Sequence, residues 1–111
     1  QRLRKFAVAQ ITPHGQLKRI IEKPDAAALA LTPLWVSMNC WRFNPVIFAA
    51  CRAIEPSPRG EYELTDAVQH AIDTRGERFQ TIMVRGPVLD LSSRQDVAPV
   101  AAKLAGTEIN L

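Results

Sequence analysis

Glycine is sparse in this chain and never clustered. The 111 residues include five glycines, and each of them stands alone in the sequence. A phosphate-cradling loop needs several glycines within a few positions, because backbone N–H groups must approach the phosphate closely. The sequence therefore excludes a glycine-rich nucleotide-binding loop within these residues.

Cysteine is also scarce, and its spacing matches no metal or disulfide motif. Cys40 and Cys51 are the two cysteines of the chain. They do not form a C-x-x-C pair, and no histidine pair at ligand spacing accompanies them. Since both have apolar neighbours in sequence, we expect two buried free thiols in a reducing compartment, and hence a cytoplasmic protein.

Long apolar runs and strong charge of one sign are missing as well. No segment approaches the roughly 18 consecutive apolar residues of a membrane span, so no membrane partner is predicted. The net charge of +3 comes from scattered Lys and Arg, which does not favour nucleic acid as a partner. The sequence does not begin with Met, and we interpret it as a piece of a longer protein.

The sequence contains enough apolar residues for a hydrophobic core, and they follow alternating strand and helix patterns. Apolar residues make up 47% of the chain, which suits a single domain or half-domain over residues 1–111. The patterns predict strands at residues 5–12, 17–22, 34–43, 78–84 and 88–91, and helices at residues 44–54, 64–76 and 93–106. Residues 25–32 fit a short helix or a loop equally well. This order predicts an α/β fold with a mixed sheet and flanking helices.

Turn and capping residues mark the boundaries of these elements. They are residues 13–15 as a hairpin turn, Asn44 and Thr65 as helix N-caps, Gly76 as a C-terminal stop, and Ser93 with Asp96 as a capping box. Pro99 inside the last pattern predicts either a kink or a helix that starts near Asp96.

A charged pair stands at the end of the second predicted strand. Glu22 and Lys23 follow an apolar run, and Pro24 ends the strand because it has no N–H for the ladder. Pro24 also biases Lys23 towards an extended backbone. Ligands of open α/β sheets bind at the carboxyl ends of strands, so the pair is a candidate ligand contact. The alternative is an ordinary solvated charge pair.

Two further patterns permit both a structural and a ligand-binding interpretation. Asp90 interrupts the last predicted strand, and a carboxylate buried there must be hydrogen-bonded, paired or bound to a cation. It is either a structural aspartate or a metal ligand. Trp35 and Trp41 are spaced to share one face of a strand, where they either pack in the core or stack on a ligand.

Four short motifs, taken in order, resemble one known family. They are Gly-Gln-Leu-Lys-Arg-Ile-Ile-Glu-Lys-Pro at residues 15–24, Val-Ser-Met-Asn-Cys-Trp-Arg-Phe at residues 36–43, Arg-Gly-Glu-Tyr-Glu-Leu-Thr-Asp at residues 59–66 and Gly-Pro-Val-Leu-Asp at residues 86–90. In this order and spacing they are similar to the carboxyl-terminal half of sugar-1-phosphate nucleotidyltransferases. That family includes the glucose-1-phosphate thymidylyl- and uridylyltransferases.

The resemblance implies a fold, a reaction and a set of site residues. The fold would be part of a Rossmann-like, GT-A-like nucleotide-diphospho-sugar transferase domain. The reaction would transfer a nucleoside monophosphate from a nucleoside triphosphate to a sugar 1-phosphate, releasing pyrophosphate with the help of Mg²⁺. Glu22 would accept hydrogen bonds from sugar hydroxyls, and Lys23 would meet the phosphate. Ser37 and Trp41 would line the sugar pocket, Asp90 would bind the metal, and residues 59–66 would buttress the site.

The chain also departs from the family pattern. Asn39 stands where the family usually has Gly, Val88 where it has Trp, Trp41 where it has Tyr, and residues 92–93 where it has Gly-Thr. The family's glycine-rich loop, catalytic arginine and second metal-binding aspartate are not in these residues, so we expect no catalytic residue here and no activity of the chain alone. The alternative is a non-catalytic module that binds a sugar phosphate, for regulation or for assembly. In both cases an exposed sheet edge predicts a homo-oligomer.

Overall fold

The computed structural model describes residues 6–31, 33–86 and 89–108. The elements, in chain order, are β1 (Val8–Ile11), β2 (Leu17–Ile21), α1 (Ala26–Leu29), β3 (Trp35–Val36), α2 (Val46–Ala53), α3 (Leu64–Arg75), a 3₁₀ turn (Arg94–Asp96) and α4 (Val97–Leu104). The chain thus combines strands and helices as predicted. No helix in these ranges is both long enough and apolar enough to cross a bilayer.

The three strands form one antiparallel sheet in the order β2–β1–β3. Val8 of β1 pairs with Ile21 on one side and with Val36 on the other. The prediction of a mixed sheet is therefore wrong for the described residues. The hairpin turn between β1 and β2 contains Gly15, whose φ of 81° lies in the left-handed region that glycine enters without steric cost.

Several predicted strands are short or absent. The pattern at residues 34–43 forms a strand only at Trp35–Val36, and residues 78–84 contribute one antiparallel bridge, between Gln80 and Gln16. Residues 89–91 are not in a strand, and Val88 lies outside the described residues. An apolar run becomes a strand only where a neighbouring strand pairs with it and a layer covers it. Among the described residues, Ile82 has neither a paired strand nor a covering layer, and it is 88% exposed.

The core forms where β1, β2, α2 and α3 meet. Its buried members are Ala7, Ala9, Leu17, Ile20, Ile47, Ala50, Ala67, Val68 and Ala71. Alanine is frequent among them, so helix and sheet backbones can approach closely at these positions. The core is anchored by Val68, which is fully buried.

The prediction that α2 is buried on most sides is wrong. Ile47 and Ala50 are its buried residues, whereas Phe48 is 64% exposed. The helix packs one face on α3 and leaves the opposite face uncovered. The prediction of two buried thiols is also wrong. Cys51 in α2 and Cys40 in the segment after β3 are free, as predicted, but both are exposed.

Most capping predictions are confirmed. Asn44 Oδ1 accepts a hydrogen bond from the Val46 backbone N at 2.9 Å at the start of α2. Gly76 ends α3 with a left-handed φ of 66°. Ser93 and Asp96 form the expected capping box, and the α-helix begins only at Val97.

Thr65 is not an N-cap. Glu63 occupies the N-cap position of α3, and Thr65 lies inside the first turn with 3% of its surface exposed. Its side chain turns into the core, so its hydroxyl does not reach the free N–H groups at the helix end.

Residues 25–32, which fitted a short helix or a loop, contain the short helix α1. Asp25 Oδ1 caps it by accepting a hydrogen bond from the Ala28 backbone N at 2.8 Å.

Candidate functional site

The strand β2 ends directly before the predicted charge pair. Its last residue is Ile21, after which Glu22 is partly buried, Lys23 is exposed and Pro24 is buried. Lys23 has a φ of 46°, so the prediction of an extended backbone at this residue is wrong. The chain turns between β2 and the buried Pro24, and Lys23 adopts the left-handed conformation within this turn. That conformation costs a non-glycine residue about 1–2 kcal/mol.

The amino-terminal end of α3 lies beside Glu22. Burial raises the pKa of the Glu22 carboxyl, and the nearby carboxylates of Glu63 and Asp66 also raise it, while Lys23 and Arg59 lower it. Arg59, Glu63 and Asp66 of the motif at residues 59–66 therefore lie near enough to the end of β2 to act on the charge of Glu22. The structure therefore brings together two of the four motifs on which the family resemblance rests.

Arg59 supplies the main countercharge on the helix side. Its Nη2 lies 2.6 Å from Glu63 Oε1, and its hydrogen bond to Glu63 raises the pKa of the guanidinium. Burial raises the pKa of Asp66, the charge of Glu63 adds to that effect, and Arg59 opposes it. The cluster is rich in hydrogen-bond acceptors, which suits hydroxyl donors.

Ser37 follows β3 directly and is engaged in a local turn. Its backbone N donates to the Ala7 carbonyl at 2.9 Å. Its Oγ accepts from the Asn39 backbone N at 3.1 Å and donates to Asn39 Oδ1 at 3.4 Å. Asn39 has a φ of 52°, a region that glycine tolerates best and asparagine next. The departure from Gly at this position is therefore conformationally conservative.

Trp41 belongs to an aromatic cluster at the margin of the core. Its ring is stacked on Phe43 with centroids 5.7 Å apart, and it meets Phe79 edge to face at 6.1 Å. Its Nε1 is buried and has no hydrogen-bond partner among the described residues. An unpaired buried donor costs about 1–3 kcal/mol, so among the described residues this N–H is an unfavourable feature of the cluster. Trp35 does not share this environment and is 39% exposed.

Asp90 is partly buried and lies outside any strand. Its Oδ2 accepts a hydrogen bond from Ser92 Oγ at 2.6 Å. Within residues 6–31, 33–86 and 89–108, no group of three or more His, Cys, Asp or Glu is arranged to hold a metal ion. A single carboxylate still fits Mg²⁺, which usually takes one or two protein carboxylates and completes its shell with phosphate oxygens and water. Asp90 is thus compatible with a shared metal contact.

The predicted site residues lie in separate local environments. Glu22 and Lys23 lie beside residues 59–66, whereas Ser37, Trp41 and Asp90 each have other neighbours. In the part of the chain that the structure describes, no hydrogen bond, ion pair or ring contact joins Glu22 or Lys23 to those three. A surface cavity of about 580 Å³ runs along the other end of β2, and its lining includes none of these residues.

Sequence reasoning missed the pairing of Arg59 with Glu63. Both residues precede α3, so the helical spacing that brings residues four positions apart together does not apply to them. The sequence therefore carries no clear signal for this pair.

Comparison with known proteins adds an independent observation to this geometry. The family model described as "Nucleotidyl transferase" matches residues 1–92 of the chain. The chain belongs to this family. This nucleotidyl transferase chain is 37% identical over 97 residues to a glucose-1-phosphate thymidylyltransferase of Streptomyces antibioticus, covering 86% of the chain and 25% of that protein.

Two proteins of Haloferax volcanii are similar to the nucleotidyl transferase chain at comparable identity. One is a UTP–glucose-1-phosphate uridylyltransferase, 32% identical over 92 residues, or 83% of this chain and 36% of that protein. The other is a low-salt glycan biosynthesis nucleotidyltransferase, 34% identical over 94 residues, or 83% of this chain and 24% of that protein. The predicted resemblance to sugar-1-phosphate nucleotidyltransferases is confirmed. The chain spans between 24% and 36% of the length of these curated relatives.

Proposed function

We propose that the chain forms the acceptor-binding part of an enzyme that transfers a nucleoside monophosphate from a nucleoside triphosphate to a sugar 1-phosphate, with release of pyrophosphate. The observation that carries the proposal is the partly buried Glu22 beside the exposed Lys23, where β2 meets residues 59–66. Membership of the nucleotidyl transferase family supports it. The corresponding fold is the Rossmann-like, GT-A-like nucleotide-diphospho-sugar transferase domain.

Glu22 and Lys23 divide the recognition of the acceptor between them. An ionised carboxylate accepts hydrogen bonds only, so Glu22 recognises the hydroxyl donors of the sugar. The Lys23 ammonium is a compact charge on a flexible stem and pairs with the phosphate. Arg59 engages Glu63 at 2.6 Å and so limits the negative charge that an anionic acceptor meets on approach.

Ser37 and Trp41 are proposed to line the sugar pocket. The partly exposed ring of Trp41 supports this role, because Phe43 and Phe79 hold it at the margin of the core and an aromatic face can pack against a sugar ring. The Ser37 hydroxyl is held by Asn39, which fixes its position before any ligand arrives.

Asp90 is proposed to hold Mg²⁺ together with phosphate oxygens of the substrates. When bound, the ion would reduce the repulsion between negatively charged phosphates. The hydrogen bond from Ser92 Oγ to Asp90 Oδ2 orients the carboxylate, and its other oxygen can bind the ion as a single ligand. The chain itself therefore supplies an oriented carboxylate, and the substrates complete the shell.

Catalysis requires further groups around the triphosphate, and the chain alone is expected to be inactive. A second candidate function is a non-catalytic module that binds a sugar phosphate for regulation or assembly. It is favoured by one observation, that no group of three or more His, Cys, Asp or Glu side chains around Asp90 could hold a metal ion among the described residues. Both candidates share the acceptor site, and for both we propose a cytoplasmic location and no nucleic-acid partner.

Titration of the chain with glucose 1-phosphate tests the acceptor site. We expect saturable binding that Lys23→Met and Glu22→Gln each weaken at least about tenfold, a loss typical of a charge-assisted hydrogen bond. Lys18→Met is the matched control, because Lys18 is also an exposed lysine and lies on β2, the strand that leads to Lys23. Equal binding by all four proteins would overturn the assignment of Glu22 and Lys23.

An assay of pyrophosphate release by the full-length parent separates the two candidates. The parent is supplied with a panel of sugar 1-phosphates and nucleoside triphosphates. Turnover supports the enzyme, whereas acceptor binding without turnover supports the module. If the parent showed no acceptor binding and no turnover, both candidate functions would be contradicted.

A further inference from the structure

The side chain of Gln69 closes the outer edge of β2. One edge of this strand pairs with β1, and the other presents the peptide groups of Lys18 and Ile20. Gln69 Oε1 accepts from the Ile20 backbone N at 2.8 Å, and Gln69 Nε2 donates to the Lys18 carbonyl at 3.3 Å. A carboxamide carries the same donor and acceptor as a peptide group. Gln69 therefore takes the place that a residue of a neighbouring strand would occupy.

Asp73 fixes the direction in which this carboxamide points. Its Oδ1 accepts from Gln69 Nε2 at 3.0 Å, one turn further along α3. The Asp73 carboxylate and the Lys18 carbonyl are both acceptors, so Nε2 must face them and Oε1 must face Ile20. The two bonds to β2 thus follow from the chemistry of the partners and not from an arbitrary choice of amide orientation.

The two ends of β2 are held by different means. At the hairpin end, the Leu17 backbone N donates to the Phe79 carbonyl at 2.8 Å, and the Thr81 backbone N donates to the Gly15 carbonyl at 2.9 Å. At the end that leads to Glu22, the Gln69 side chain makes the corresponding hydrogen bonds. Its partner Ile20 lies directly before the last residue of the strand.

We propose that Gln69 is the positioning residue for Glu22 and Lys23. A single helix, α3, carries Gln69 and Asp66 and has Glu63 as its N-cap, and both of these carboxylates influence Glu22. Fixing β2 to the side of α3 therefore sets the distance between Glu22 and the helix end. The importance of this for acceptor binding rests on the proposed function, whereas the attachment of β2 to α3 does not.

The test compares Gln69→Ala with Gln80→Ala by amide hydrogen exchange and by nitrogen–proton correlation spectra of the 111-residue chain. Gln80 Nε2 donates to the Gly15 carbonyl at 3.2 Å, so Gln80→Ala removes a bond of the same kind at the hairpin end. We expect Gln69→Ala to accelerate exchange of the Ile20 amide about tenfold, as loss of one hydrogen bond predicts, and to shift the Glu22 and Lys23 signals. Gln80→Ala should leave all three signals unchanged.

A third variant separates hydrogen bonding from packing. Gln69→Met keeps the length of the side chain but removes both the acceptor for the Ile20 N–H and the donor to the Lys18 carbonyl. We expect it to behave like Gln69→Ala. If Gln69→Met preserved the protection of the Ile20 amide, the inference would fail, because packing alone would account for the contact. Urea unfolding of each variant verifies that the compared chains are folded.

Binding of glucose 1-phosphate provides the functional readout. Gln69→Ala should raise the dissociation constant about tenfold, and Gln80→Ala should leave it unchanged. An unaltered dissociation constant in Gln69→Ala, or unshifted Glu22 and Lys23 signals, would overturn the positioning role. If the unsubstituted chain binds no glucose 1-phosphate, the proposed function fails, and the positioning of Glu22 and Lys23 is judged from their signals.

Discussion

Arg59 donates to Glu63 at 2.6 Å, and this ion pair stands next to Glu22. Of the two partners, Glu63 raises the pKa of Glu22 and Arg59 lowers it. The pair therefore moderates the charge around the end of β2 without belonging to the strand. Its effect on Glu22 can be measured directly.

Arg59→Gln should raise the pKa of Glu22 further. The substitution removes a cation that favours the ionised carboxylate, and it leaves Glu63 without its partner. The measurement is a carbon-detected titration of the Glu22 carboxyl. Arg52→Gln is the control, because Arg52 is exposed in α2 and is not among the groups that influence Glu22. A pKa of Glu22 that stayed constant in Arg59→Gln would contradict the arrangement.

Glu22→Gln should stabilise the fold at neutral pH. The pKa of Glu22 is raised above its ordinary value of 4.5, so the folded state binds this proton more tightly than the unfolded state. Its favourable contribution is complete below the ordinary value and is lost as the pH rises through the raised value. We expect a gain of less than about 1 kcal/mol at pH 7 and a smaller difference at pH 4, measured by urea unfolding. The reverse order of the two differences would show the sign to be wrong.

Val68→Ala should cost about 2 kcal/mol of unfolding free energy, because it removes apolar volume from a fully buried position and leaves a cavity. Val97→Ala is the same substitution in another helix, where the side chain is 52% exposed. It should change the stability by less than about 0.5 kcal/mol. Chemical denaturation of both variants measures the difference, and equal costs would contradict the position of the core.

Asn39→Gly should be tolerated, whereas Asn39→Ala should cost about 1 kcal/mol, because the residue holds a φ of 52°. Both variants lose the bond from Ser37 Oγ to Asn39 Oδ1 and keep the bond from the backbone N of residue 39, so the comparison isolates the backbone. Thermal unfolding distinguishes them. If Gly were the more destabilising of the two, the left-handed conformation would not be what limits substitution at this position.

Self-association through β3 is expected, because it is an edge strand of the sheet and carries exposed Trp35 and Val36. Val36→Lys should shift sedimentation towards the monomer, since a lysine at an edge opposes strand pairing. Ile82→Lys places the same charge at an exposed apolar residue away from β3 and should have no effect. A chain that remained monomeric at high concentration before any substitution would refute the expectation.

Features set by neighbouring residues could be predicted from the sequence. The hairpin turn with Gly15, the Asn44 and Gly76 helix ends and the Ser93 capping box each depend on contacts within a few positions. The extent of β3, the exposure of Cys51 and the antiparallel sheet depend on which distant segments cover or pair with them. Sequence periodicity carries no information about that cover.

The same distinction applies to the candidate site. The end of the predicted strand and the family resemblance both predict Glu22 and Lys23 as ligand contacts, and the structure places charged groups of residues 59–66 near Glu22. The conformation of Lys23 was predicted wrongly. A residue before proline generally prefers an extended backbone, but Lys23 lies in the turn that leads to buried Pro24 and is left-handed. The contact of Gln69 with β2 could not be predicted from the sequence, because a polar residue on an amphipathic helix ordinarily faces solvent.

Lys23 holds a backbone conformation that glycine would adopt without strain. Its φ of 46° means that Lys23→Gly would relieve about 1 kcal/mol of unfavourable geometry while deleting the ammonium. If Lys23 binds the acceptor phosphate as proposed, stability and recognition compete at this single position. Selection for thermal stability alone would then favour replacement of the lysine. Retention of Lys23 in variants selected for thermal stability and activity together would therefore indicate that the lysine is needed for binding.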